Sequence, residues 1–455
     1  MDGNIRRFAL AVGATSFGFS LVQLDVSIVN IALPRIGSDM GIHMSHLQWV
    51  VDAYALALAS CMLSGGYLSD RFGARPVYLA GILVFGLASG MCGLAGSVMQ
   101  LTLARAIQGV GAAIMLPSSL VLLNAATAHD RKLRALAVGY WTAISSVSIA
   151  VGPIVGAFVM SLGSWRWIFF INLPLCLIAG VMALYVSGPP EGVKRGFNLV
   201  GQMSIALAQL FVIGSLIESR AAGLGGFYLV GALILGLVCL GVYVISERAS
   251  ASPLIPADVW RLGFFRACLL YGVVANFTYY GIIFIISFYL QDVLHMTPTV
   301  AGYAYIPLTL TFLFSNVLSG ALVSRFGSRW PMVGGALVDG VGFLLLSQLS
   351  ANATFLSLVL PFMLVPGGMG VGVPAMTTAV LENVPAHHAG VASGALNAAR
   401  QAAGALGIAV FGAFSGEGAD GVLQGLHRSA LLAVLLLLVA AAVAHRRVLI
   451  PVSRA

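Results

Sequence analysis

Gly66-Tyr-Leu-Ser-Asp-Arg-Phe-Gly-Ala-Arg75 recurs later in the chain as Gly320-Ala-Leu-Val-Ser-Arg-Phe-Gly-Ser-Arg329. The matched pairs are Gly66/Gly320, Leu68/Leu322, Arg71/Arg325, Phe72/Phe326, Gly73/Gly327 and Arg75/Arg329, and Gly81/Gly335 follow in register. Each copy joins the second and third apolar runs of a six-run set. Duplicated halves of membrane helices, working around a site near the bilayer midplane, are a transporter architecture. The repeat therefore reads as two six-helix halves.

Working outward from the two copies, apolar runs cover 8 to 33, 45 to 68, 77 to 96, 98 to 122, 135 to 161, 166 to 187, 198 to 218, 227 to 246, 264 to 291, 298 to 323, 331 to 350, 354 to 379, 388 to 414 and 428 to 445. Each is close to the roughly 20 residues that a spanning helix needs. The runs at 198 to 218 and 227 to 246 lie outside the repeat. The expected fold is an all-α polytopic membrane protein with fourteen spans: a bundle in 1–187, an inserted helical pair in 188–262 and a second bundle in 263–455. Composition agrees, since 59% of the 455 residues are apolar and 8% charged, against about 25% charged in soluble domains. No polar stretch is long enough to house a soluble catalytic domain.

An even span count puts both termini on one side, and basic residues mark the cytoplasmic side. With the N-terminus inside, Arg35, Arg166, Arg220 and Arg428 face out and Arg105 and Arg400 lie within helices, so 17 of the 23 lysines and arginines fall in cytoplasmic segments. The net charge of +8 is thus an orientation signal and not the mark of a nucleic-acid partner. Trp49, Trp165, Trp167, Trp260 and Trp330 fall at expected helix ends, where interfacial aromatics collect.

Several chemistries are excluded. The five cysteines stand singly in apolar runs with no CxxC pair, as small core residues do. Neither Lys132 nor Lys194 follows a glycine, so there is no GxxxxGK[ST] phosphate loop. With no ATP motif and no cofactor expected, an ion gradient is the energy source. The eight histidines (His43, His46, His129, His295, His387, His388, His427 and His445) sit in loops or at helix ends without HExxH. A membrane enzyme or a metal site is not expected.

Four stretches in order carry a family resemblance. They are Leu24-Asp-Val-Ser-Ile-Val-Asn-Ile-Ala-Leu-Pro34, then Gly66 to Arg75, then Arg105-Ala-Ile-Gln-Gly-Val-Gly111, and finally Gly152-Pro-Ile-Val-Gly156 with its sequel Trp165-Arg-Trp-Ile-Phe-Phe-Ile-Asn-Leu-Pro174. The chain resembles the major facilitator superfamily and, within it, the fourteen-helix drug:proton antiporter family. The resemblance implies multidrug efflux from the cytoplasm of a bacterium, and a cytoplasmic loop (Gly66, Asp70, Arg71, Gly73, Arg75) that latches the halves. It also implies an antiporter motif at Gly152, Pro153 and Gly156. The chain departs from the pattern in the second loop copy, where Ser324 replaces the carboxylate of Asp70. Its outward loop at 415 to 427 is also shorter than in members that dock a periplasmic adaptor, so an adaptor is not expected and the protein should work as a monomer.

Proton coupling needs an ionisable group inside the membrane, and such groups are costly unless functional. Asp25 lies before the outer end of the first run and Arg105 after the outer start of the fourth, both roughly 10–12 Å deep at about 1.5 Å per residue. Asp52 reaches a similar depth. Burial disfavours a carboxylate's charge while a nearby arginine favours it, so their balance can poise a proton carrier. Asp25 is the expected carrier, with a structural ion pair to Arg105 as the alternative. Asp52 suits coupling, gating or structure. Asp339 and Arg400 are second-half polar groups with structural and functional readings both open, and aromatic residues such as Tyr54 are suited to stacking on cations.

The expected partners are protons, lipid and a small-molecule substrate, exported as drugs or other amphipathic or cationic compounds. A dedicated metabolite exporter, or an uptake symporter on the same scaffold, is the alternative, because fold does not fix substrate. The orientation has a direct check. Reporters fused after Ala455 and within 188–197 should both report the cytoplasm, and an outward signal at either point overturns the fourteen-span topology.

Overall fold

The computed structural model describes residues 2–42, 44–127, 131–186, 198–221, 226–250, 257–384, 389–416 and 418–448. Among them there is helix and no strand. The first helices are α1 (Asp2–Met40), α2 (Met44–Phe72), α3 (Ala74–Leu94), α4 (Val98–Ala126), α5 (Arg131–Ser161), α6 (Trp167–Phe170) and α7 (Asn172–Leu184). Then come α8 (Leu199–Ala221), α9 (Gly226–Ala249) and the short α10 (Ala257–Arg261). The last set is α11 (Gly263–Phe288) with a π-turn at Tyr289–Val293, α12 (Pro298–Ala304), α13 (Ile306–Phe326), α14 (Arg329–Leu346), α15 (Phe355–Asn383), α16 (Ala389–Phe414) and α17 (Gly418–Arg447). Each of the fourteen apolar runs is helical over most of its described residues. Among the described residues eleven helices are long and apolar enough to cross a membrane.

The chain gathers into two compact units, Met1–Ser215 with Gly223–Pro253 and Leu216–Ala222 with Leu254–Ala455. In the first, α1 packs on α5, α4 and α7, α2 packs on α4, and α3 packs on α4 and α7. In the second, α11 packs on α16, α15 and α17, α13 packs on α15, and α14 packs on α15 and α17. The two sets of neighbours match element for element, with α12 and α13 together standing where α2 stands in the first unit. The duplicated motif thus marks a duplicated packing scheme. Within the first unit the inserted pair is held to α2: Ser60 Oγ donates to Gln209 Oε1 of α8 at 2.7 Å, and Gly214 of α8 leaves room for the Trp49 ring. Helix α9 exposes Ile234, Leu237, Val238 and Ile245, a face suited to lipid.

Small residues set the interhelical spacing, as in membrane bundles generally. A Cβ on Gly111 of α4 would stand 2.6 Å from the Phe85 backbone nitrogen of α3, and one on Gly152 of α5 would collide with Ser27 of α1. In the second unit a Cβ on Gly407 of α16 would overlap the Phe277 carbonyl of α11. Gly156 of α5 likewise faces Ile28 and Ile31, and Pro153 lies between the two glycines inside the helix.

Several expected boundaries move. The 415 to 427 segment, expected as a loop, is mostly helix, because Val422 and Leu426 continue the buried stripe of Ala430 and Ala433 towards the N-terminus of α17. The run at 166 to 187 is split at Ile171 into α6 and α7. Trp165, at the helix end expected of it, is covered by protein: it is 1% exposed, and its Nε1 donates to Asp39 Oδ2 at 2.8 Å. The Gly66–Arg75 segment is helix up to Phe72, leaving Gly73 alone between α2 and α3 at φ +88°. Its repeat, Gly327, has φ +70°. A side chain is strained at such angles, and glycine is not.

Gly407→Val should therefore cost the purified protein about 3 kcal/mol or more through overpacking against backbone. Gly334→Ala, where a Cβ meets nothing within 4 Å, should leave thermal unfolding in detergent unchanged.

Candidate functional site

Asp25 sits mid-way along α1 and is fully buried. Its partners arrive from other helices of the same unit. Arg105 Nη1 on α4 donates to Asp25 Oδ2 in a buried ion pair. Gln108 lies three residues after Arg105, hence on the same helical face, and its Nε2 donates to Asp25 Oδ1 at 2.9 Å. Asn172 Nδ2, from the first residue of α7, donates to the same oxygen at 2.8 Å. Every partner donates, which suits the ionised carboxylate.

The arginine is equally well used. Its Nε donates to the Val50 carbonyl of α2 at 3.1 Å, and Nη1 also reaches Gln108 Oε1 at 2.8 Å. The guanidinium lies over the Tyr54 ring with 4.2 Å to its centroid. Asn172 continues the chain of contacts to Ser89 Oγ of α3 at 3.0 Å, and Ser89 Oγ donates to the Phe169 carbonyl at 2.9 Å. The break between α6 and α7 lets Asn172 begin a helix beside Asp25. Upstream of it, Arg166 pairs with Asp39 at 3.3 Å and donates to the Ala95 carbonyl at 3.2 Å.

The arrangement can do one thing that a surface pair cannot. Adding a proton to Asp25 removes the counter-ion of a buried arginine and changes what Gln108 and Asn172 can donate to. A single protonation thereby bears on four helices at once.

Of the residues expected from sequence, the structure brings together Asp25 and Arg105. Asp52 of α2 is not joined to them: it is fully buried, and neither carboxylate oxygen has a hydrogen-bond partner. In the loop motif Arg71 is exposed and its Nη1 donates to Tyr67 Oη at 2.9 Å. Arg75 donates to the Leu184 carbonyl at the end of α7, and its repeat Arg329 contacts His445 Nδ1 near the end of α17 at 3.1 Å. The motif's last arginine thus ties down the sixth span in both units. Gly66 has only Pro117 nearby. The Asp70 side chain lies outside the described residues.

In the second unit Asp339 is on α14, 2% exposed with Oδ1 unpartnered, and Arg400 is on α16. No ion pair joins them among the described residues. A cavity of about 390 Å³ at the second motif copy is lined by Gly320, Val323, Ser324, Gly327, Thr378 and Glu382, away from both charged groups. Sequence reasoning missed Gln108, Asn172 and Ser89. Gln108 and Asn172 were signalled, as polar residues inside the motif stretches at 105–111 and 165–174.

A profile of the Major Facilitator Superfamily matches residues 15–408. The chain belongs to the Major Facilitator Superfamily. It is 32% identical over 398 residues to the methylenomycin A resistance protein of Bacillus subtilis (strain 168), covering 87% of this chain and 85% of that protein. It is 33% identical over 401 residues to the tetracenomycin C resistance and export protein of Streptomyces glaucescens, covering 88% of this chain and 74% of that one. The crystal structure of a D-xylose-proton symporter shares the fold, with a TM-score of 0.71 at 16% identity over 97% of this chain and 98% of that one. As a superfamily member the chain is a multi-pass membrane transporter of small molecules and not an enzyme.

Breaking one side of a buried ion pair strands the other charge and costs about 3–5 kcal/mol. Arg105→Gln should therefore lower the unfolding temperature in detergent sharply, and adding Asp25→Asn to it should recover much of the loss. Simple additivity of the two losses would mean that the pair does not couple.

Proposed function

We propose that this superfamily member exports drugs, or other amphipathic or cationic small molecules, in exchange for protons, as a fourteen-span drug:proton antiporter. Its place is the bacterial cytoplasmic membrane, with both termini inside. The proton gradient is its energy source, and it works as a monomer without a periplasmic adaptor. The observation that carries the reading is the ionisable Asp25, buried in the first unit and shared among α1, α4 and α7. Relatives named for antibiotic resistance and export support the direction and the class of cargo.

Asp25 is the proton carrier in this reading. It takes a proton when open to the more acidic outside, turnover brings it in, and release to the cytoplasm restores the ion pair with Arg105. A cationic substrate favours the ionised form, so proton and substrate compete through one charge. Asp52, buried with both oxygens free of partners, is the second carboxylate available to the same cycle. The loop of Gly66, Asp70, Arg71, Gly73 and Arg75 acts as a latch that biases conformational states without touching cargo. Gly152, Pro153 and Gly156 keep α5 close against α1, as antiport without leak requires.

Asp25→Asn should abolish gradient-driven efflux of dye or drug from a pump-deficient host. The purified variant should still fold and show weakened, pH-insensitive binding. Wild-type, proton-dependent efflux by a well-expressed Asp25→Asn protein would falsify the assignment and move it to Asp52 or Asp339.

A further inference from the structure

The two units treat the arginines within their helices in opposite ways. Arg105 is neutralised by Asp25 and spends its donors on named partners. Arg400 is not neutralised. Its stem lies on α11, with Cγ 3.0 Å from where a Cβ on Gly272 would stand. Its Nη1 makes one long hydrogen bond, 3.4 Å to Asn397 Oδ1 on the preceding turn of α16, and its Nε is buried without a partner. Among the described residues no carboxylate pairs with it. The titratable side chain that bears on it electrostatically is Tyr280 of α11, whose ring packs against Gly404, one turn further along α16. Asp339 on α14 and Glu382 on α15 make no ion pair with it.

An arginine inside a membrane protein is costly unless something pairs with it. Guanidinium offers five donors in a flat fork and cannot lose its charge, and the fork matches the two oxygens of a carboxylate or phosphate. Here most of that fork is unused, the group is only partly buried, and an amide and a phenol stand beside it. The internal counter-ion present in the first unit has no counterpart here among the described residues, which leaves the fork open to a partner from outside the chain.

We propose that Arg400, with Asn397 and Tyr280 beside it, forms a subsite for the anionic head of an amphipathic substrate, a carboxylate or similar oxyanion. The inference rests on the export reading above and adds amphipathic acids to its substrate class. Asn397 and Tyr280 orient the head, and the unused donors of Arg400 carry its charge.

The probes are 1-pyrenebutyrate and 1-pyrenebutanol, which share an apolar body and differ in one charge. Fluorescence binding to the full-length protein in nanodiscs should favour the carboxylate by at least about tenfold, the worth of one charge-assisted hydrogen bond. Arg400→Gln should erase that preference while leaving the alcohol's affinity unchanged. Asn397→Asp, which supplies the missing counter-ion internally, should erase it too while keeping or raising the unfolding temperature. Equal affinities in the wild type, or equal loss of both probes in Arg400→Gln, would overturn the subsite and leave Arg400 a structural residue. Nanodiscs of phosphatidylcholine alone and with added phosphatidylglycerol separate the two sources of an oxyanion. Preference that persists in both supports a substrate subsite, and preference abolished by phosphatidylglycerol assigns Arg400 to a lipid headgroup instead. No gradient is involved, so the outcome is independent of whether Asp25→Asn stops efflux.

Discussion

A charge inside a membrane protein must be matched within the protein, because the surrounding hydrocarbon offers no water to solvate it. The Asp25–Arg105 pair meets that requirement, and much of the first unit is arranged around it. Asp25 on α1 cannot reach Arg105 on α4 and Asn172 on α7, nor Arg105 the Val50 carbonyl on α2, unless those helices stand close together. The glycines at 111 and 152 allow that approach, since a side chain at either would meet a neighbouring helix. Close packing and buried charge are thus one constraint seen from two sides.

The duplicated scheme makes the contrast between units informative. Both pair the same elements, both break the second and third spans at a glycine of positive φ, and both anchor the motif's last arginine to the sixth span. What differs is the polar content of the core. The first unit holds a closed network around Asp25 and Arg105, with Asp52 buried outside it and unpartnered. The second holds Asp339 and Arg400 apart, each with a buried polar atom that finds no partner. Both units hold an unpartnered buried carboxylate, Asp52 in the first and Asp339 in the second, and the difference between them is that the arginine is paired with a carboxylate in the first unit and with none among the described residues of the second.

The departures from the sequence reading share a cause. Hydropathy marks where a helix is apolar all round and undercounts turns that bury one stripe and expose the other to water. The start of α17 and the end of α2 are such turns. Trp165 stands at a helix end, where amphipathic rings collect, and there a carboxylate at the end of α1 gives its indole nitrogen a partner while protein covers its ring.

The all-helical membrane fold, the two-fold repeat, the motif stretches and the presence of charges within apolar helices were legible in the sequence, because each is a local pattern along the chain. That Asp25 and Arg105 share a depth was also legible, since helical rise is fixed. Whether they touch was not, for depth says nothing about rotation around the helix axis. Tertiary structure alone separated Asp52 from the pair, recruited Gln108 and Asn172 to it, and left Arg400 without a counter-ion. Those outcomes depend on which helix faces meet, and that is decided by side chains far apart in sequence fitting against one another.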